Sequence, residues 1–249
     1  MSDGTESTRR WIPLALDFIL SKYTLVNRRT IIVLGLWIGV ITLSIMSTVW
    51  IAPSEFMLIE RGSDATSLFF LFYPPLILGT LMLFWLGFEW GFIPLFLSAF
   101  IITFSMGMTY YWGLLFGVAF ILGLGIYGIT YYCVSFDPAL RDMKSFVFYA
   151  MISFFAAMAS SLGSFVWSDF FNLETYKTTL LWKGWWTGMF LQSMLITAPI
   201  LYLFTPFIYR MRDKYFTEIP NPKVSLNWIY SAIASVAVVL LLFIGGAKM

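Results

Sequence analysis

Long apolar runs almost free of ionisable side chains dominate this chain of 249 residues, and they limit its folds more than any other feature. Crossing the ~30 Å hydrocarbon core of a bilayer takes about 20 mostly apolar residues in a helix. Seven windows of that kind run over 31–51, 66–87, 91–107, 112–134, 145–166, 182–208 and 227–246. Composition agrees: 60% of the residues are hydrophobic and 11% charged, against about 45–50% and about 25% in soluble domains. A soluble single domain, a disordered chain and a disulfide-stapled one are excluded. The expectation is an all-α, multi-pass transmembrane helical bundle of about seven spans over 31–246, with a short tail at 247–249. Residues 1–30 read as a cytoplasmic segment. Its stretch 11–26, interrupted by Pro13, Asp17 and Lys22, is expected to be an interfacial amphipathic helix. No signal peptide is expected, because no clean apolar core and small-residue cleavage site follow the arginines.

Charge placement supplies an orientation through the positive-inside rule. Arg9, Arg10, Lys22, Arg28 and Arg29 precede the first window, Arg141 and Lys144 follow the fourth, and Arg210, Arg212, Lys214 and Lys223 follow the sixth. With seven spans all of these lie on one side, leaving Arg61, Lys177, Lys183 and Lys248 on the other. The N-terminus is therefore expected in the cytoplasm. Tryptophans and tyrosines such as Trp50, Trp90, Tyr110, Trp112, Trp167 and Trp182 fall near the window ends, where amphipathic rings sit at the headgroup level.

There is no histidine, and Cys133 is the single cysteine. Histidine and clustered cysteines are the usual ligands of haem, zinc, copper and iron–sulfur centres, so no cofactor or metal is expected. Intramembrane ionisable residues usually mark pumps and transporters. Here Glu89, in a short turn, is the only acid near a hairpin interior, and no lysine sits mid-span to hold a retinal Schiff base. Phosphate loops, GxSxG elbows, HExxH and dinucleotide fingerprints do not occur, and no basic patch suits nucleic acid. The chain is not expected to be an enzyme.

Four local features remain. Tyr73-Pro74-Pro75 interrupts the second window and predicts a kinked or broken helix, as a packing kink or as a binding site. Gly117, Gly123, Gly125 and Gly128, with Ala157, Ala159, Ser160, Ser161 and Gly163, read as packing seams. An outer cluster holds Asp169 and Lys183 among Trp167, Trp182, Trp185 and Trp186, suited either to an ion-paired lid or to a ligand site. The basic stretch around Arg210, Arg212 and Lys214 suits topology, lipid headgroups or a cytoplasmic partner. Tyr73, Pro74, Pro75, Asp169, Lys183, Trp185 and Trp186 are thus the candidate ligand-binding residues.

The order Tyr73-Pro74-Pro75-Leu76-Ile77, Trp90-Gly91, Asp137-Pro138-Ala139-Leu140-Arg141-Asp142, Trp185-Trp186-Thr187-Gly188 and Ala198-Pro199-Ile200-Leu201 resembles the MASE1 membrane sensor domain over roughly 66–205. The resemblance implies an inner-membrane module that signals through an output domain. The family's acid after the WWxG pattern is Met189 here, so no role of that carboxylate carries over. Three functions follow as expectations. The first is a non-catalytic sensory or ligand-binding module working through a membrane-protein or cytoplasmic signalling partner. The others are a structural subunit of a larger membrane complex, and a substrate-binding transport subunit like the S components of vitamin importers.

Overall fold

The computed structural model describes residues 13–14, 19, 28–60, 72–134 and 136–215. Its elements are α1 (Arg28–Glu60), α2 (Pro74–Trp85), α3 (Phe88–Ser105), α4 (Tyr110–Cys133), α5 (Met143–Ser160), α6 (Gly163–Phe170), α7 (Thr175–Gln192), a π turn (Ser193–Thr197) and α8 (Ala198–Tyr215). The described residues are all-helical and contain no strand. Five stretches are long and apolar enough to cross a membrane: Thr30–Trp50, Phe88–Ser105, Tyr110–Cys133, Met143–Phe170 and Thr175–Tyr215. They overlap the expected windows 31–51, 91–107, 112–134, 145–166 and 182–208. The described part of window 66–87 is α2, 12 residues long and about 18 Å from end to end. Window 227–246, the tail and most of 1–30 lie outside the described residues. Of the expected interfacial helix, only Pro13, Leu14 and Ile19 are described, and all three are buried. Leu14 is fixed there by its own backbone, giving its N–H to Leu86 O (2.5 Å) and accepting the Trp90 indole N–H (2.6 Å).

Glycine decides how closely the helices approach. In the α2–α3 hairpin, a Cβ at Gly91 would collide with the Gly79 carbonyl oxygen, so the two backbones touch there. The hairpin turns at Gly87, whose φ of 138° is open to glycine and costly for other residues. Along α3, Phe88, Phe92, Phe96, Phe100 and Phe104 recur every fourth residue and form a ladder of rings. That spacing places them on one helix face. Antiparallel α4 receives the ladder on small residues: Gly113 lies against Phe100, Gly117 against Phe96 and Gly128 against Phe88. On the other side of α4, Gly123 meets Ser160 and the Ala156 carbonyl of α5. Gly163 opens α6, and a Cβ there would come into ordinary contact with the Trp185 ring at 3.4 Å. A Cβ at Gly125 would meet nothing within 4 Å, so Gly125 belongs to no seam.

Three prolines inside this bundle leave carbonyls for other groups to satisfy. Pro94 lies within α3 and has no N–H for Trp90 O, which instead accepts the Trp37 indole N–H of α1 at 3.0 Å. Pro199 follows the π turn, where the helix widens and the Ala198 N–H reaches Ser193 O. Pro206 lies inside α8. The stretch Thr175–Tyr215 is therefore one helical rod of 41 residues with a single change of pitch, about 60 Å long at the helical rise.

Candidate functional site

Buried polar groups concentrate where α2 begins and the long rod changes pitch. Pro74 and Pro75 occupy the first two positions of α2. The first turn of any helix has orphan N–H groups, and two prolines remove two of them. Leu76 N–H bonds Tyr73 O (3.1 Å), and Tyr73 N–H donates to the Gln192 carboxamide oxygen of α7 (3.0 Å). The helix thus starts inside the bundle with its donors accounted for, and the Pro-Pro pair leaves no free backbone N–H cradle for an anion.

Gln192 itself is half satisfied. Its side chain is buried at 4% exposure, and its Nε2 has no hydrogen-bond partner. Next to it, Ser193 O accepts the Tyr149 hydroxyl (3.3 Å). The Tyr127 hydroxyl lies 2.7 Å from Ser153 Oγ and 3.4 Å from Ser193 Oγ. Tyr127, Tyr149, Ser153 and Ser193 are all buried and link α4 and α5 to the π turn. The Tyr73 ring packs on Phe120 with centroids 4.6 Å apart. Its hydroxyl faces the Thr48 side chain of α1 without closing a well-formed hydrogen bond.

The candidate residues divide between this cluster and the surface. Tyr73 is buried at its centre, with Pro75 buried and Pro74 half-buried beside it. Trp185 is fully buried against Phe116 and Phe120 (5.6 and 5.9 Å), so Phe120 joins it to Tyr73. Trp186 is half-buried, edge-on to Phe154 at 5.5 Å, and its indole N–H has no partner. Asp169 and Lys183 are exposed, and no ion pair joins them among the described residues. The outer cluster is therefore not one site: Trp167 and Trp185 are buried, Trp182 and Trp186 are half-buried, and the two charges are exposed.

The basic trio divides as well. Arg210 and Lys214 are exposed, whereas Arg212 is turned inward at 7% exposure. Its guanidinium stacks on the Tyr209 ring (4.4 Å) and donates to Trp85 O (3.2 Å). Tyr209 donates its hydroxyl to Phe84 O (2.9 Å), and the Trp85 indole donates to Thr205 Oγ1 (3.1 Å). A cation and a hydroxyl on the last carbonyls of α2 satisfy its C-terminal acceptors and complement its dipole. Arg212 thus serves the interior, where the sequence suggested a surface role.

Sequence reading did not single out Gln192, Ser193, Tyr127, Tyr149 or Ser153. One signal for them was present: Pro199 demands a disturbance in the preceding turn, and Gln192 and Ser193 are the polar pair at its start. The hydroxyls of α4 and α5 carry no such signal, because Tyr and Ser at those positions look like packing residues.

Over the described residues, the fold and site define an all-helical bundle with five stretches long and apolar enough to cross a membrane and a half-satisfied amide in its interior. Comparison with family models, curated proteins and solved structures finds no match.

Proposed function

We propose that this chain is a non-catalytic integral membrane module that recognises a ligand and acts through a partner protein. The Gln192 carboxamide carries this reading. A buried donor without a partner costs about 1–3 kcal/mol, and the Gln192 Nε2 is such a donor, set beside the Tyr73 helix start and the π turn. Single-turn π bulges are frequent at functional sites. A ligand offering a hydrogen-bond acceptor would relieve the cost. The resemblance of 66–205 to MASE1 sensor domains supports the same role. With the seven apolar windows taken as spans, the positive-inside pattern supports an N-terminus in the cytoplasm, and the same resemblance implies a bacterial-type inner membrane.

Purification in mild detergent, with mass spectrometry of everything that accompanies the chain, tests the reading. Thermal unfolding against a metabolite library is its second arm, because a ligand at 100 times its Kd stabilises the native state by about 2.7 kcal/mol. The expected result is a stabilising compound whose effect is lost in Gln192→Leu. A library without any stabilising compound, beside a tightly held protein partner, replaces this reading with a structural subunit of a larger complex. That second reading has its own support in α1, where Leu36, Ile38 and Trp50 stand exposed. Migration as a lone monomer in a native gel removes it.

A further inference from the structure

We propose that α2 is a lever, hinged at its Gly87 end and latched at its Pro-Pro end by the side chain of Gln192. The long rod runs parallel to α2 and holds it at both ends, but unequally. At the Gly87 end, Thr205, Tyr209 and Arg212 engage Trp85 and Phe84 through three hydrogen bonds, with the Arg212 cation stacked on Tyr209. At the other end, one bond between the rod's side chains and α2's leading backbone is present, from Tyr73 N–H to Gln192 Oε1.

The weak end also has the means to open. Pro74 and Pro75 contribute no N–H, so beside the packing of the Tyr73 ring on Phe120 the Tyr73 amide is the one polar contact from the leading backbone of α2 to the rod among the described residues. Gln192 is an amide: rotating its carboxamide by half a turn presents Nε2 where Oε1 stood and breaks the bond. Its Nε2 has no partner holding it in the observed orientation. The latch residue directly precedes the π turn, so a change of pitch in the rod moves the latch first. Released at that end, α2 swings about its Thr205–Tyr209–Arg212 attachment and carries α3 with it through the Gly79–Gly91 backbone contact. This device depends on the chain's own hydrogen bonds and stands whether or not the module takes a ligand.

Hydrogen–deuterium exchange of the full chain in lipid nanodiscs tests it. In Gln192→Leu, the amides of Tyr73, Leu76 and Ile77 are expected to exchange about tenfold faster, the ratio for one lost buried hydrogen bond. Leu83, Phe84 and Leu86 keep wild-type protection. Gln192→Glu retains an acceptor oxygen and is expected to restore slow exchange at the same amides. Unchanged exchange at Tyr73 to Ile77 in Gln192→Leu overturns the latch, and equal acceleration at both ends overturns the hinge. If Gln192→Leu does not elute as a folded species, the converse variant, Tyr209→Phe with Arg212→Met, decides. Faster exchange confined to Leu83–Leu86 supports the lever, and loss of protection at Tyr73 overturns it.

Discussion

At the residue scale, the absence of a Cβ separates glycines that look alike in sequence. A Cβ at Gly91 meets backbone, the Gly79 carbonyl, which cannot step aside without parting α2 from α3. Gly91→Ala is expected to destabilise the bundle by about 1–3 kcal/mol, the usual cost of overpacking. Gly125→Ala enters open space and is expected to be neutral or stabilising by up to about 1 kcal/mol, because alanine loses less backbone freedom in a helix. Thermal unfolding of the two variants in the same detergent checks the contrast. Asp142 is a residue of a different kind, capping α5 by accepting the Ser145 N–H (2.7 Å) and hydroxyl (2.6 Å). The Ser145 hydroxyl first, and its backbone N–H second, hold the Asp142 carboxyl below its ordinary pKa. The bonded form is the carboxylate. Its contribution is therefore present above the unfolded-state pKa and is lost as the pH falls through the lowered folded value. Asp142→Ala is expected to cost about 1 kcal/mol or less at neutral pH. The gap in melting temperature between wild type and variant narrows below about pH 4.

At the scale of elements, two helix irregularities, Pro94 in α3 and the Pro-Pro start of α2, each have a side chain that makes them tolerable. Pro94 would leave Trp90 O bare inside the bundle, and Trp37 of α1 supplies the missing donor. Trp37→Phe keeps most of the ring volume and removes that donor. It is expected to cost about 1–3 kcal/mol, the penalty of an unsatisfied buried carbonyl, read as a loss of thermal stability with the helical circular dichroism at low temperature unchanged. The same logic explains why α2 begins where it does. Two prolines, the Tyr73 carbonyl and Gln192 leave its first turn without a naked donor, which an apolar interior demands. The phenylalanine ladder of α3 and the glycines of α4 are one feature split between two helices, a ridge on one and a groove on the other. Neither half is interpretable alone.

For the molecule as a whole, the described charged residues other than Lys183 stand at or near the ends of helices or between them rather than in their middles. Arg141 and Lys144 stand at one end of α4 and α5, and Lys177 stands near the start of α7. In a Cys133→Ala background, Lys144→Cys and Lys177→Cys report the two faces. A membrane-impermeant maleimide is expected to label Lys144→Cys only in inside-out vesicles and Lys177→Cys only in right-side-out ones. Labelling of both from one side contradicts the proposed orientation. The same vesicles carry the native partner if there is one, so crosslinking through the exposed Arg210 and Lys214 positions bears on the signalling role as well.

The apolar windows alone determined the helical class and the approximate extent of five long helices, because a membrane interior punishes every unpaired backbone group and leaves one regular solution per window. Tyr73-Pro74-Pro75 marked the position where α2 starts for a local reason too, because proline suits the first turn of a helix. Local patterns did not carry the partners across the bundle. That Gln192 holds Tyr73 across 119 positions, that Arg212 turns inward to cap α2, and that Trp185 faces Phe120 while Asp169 and Lys183 face outward were decided by tertiary structure. In a chain where nearly every helix face is apolar, hydrophobicity does not distinguish inside from lipid. The choice falls to shape, glycine against ring, and to the few hydrogen bonds that one packing satisfies and others leave unmade.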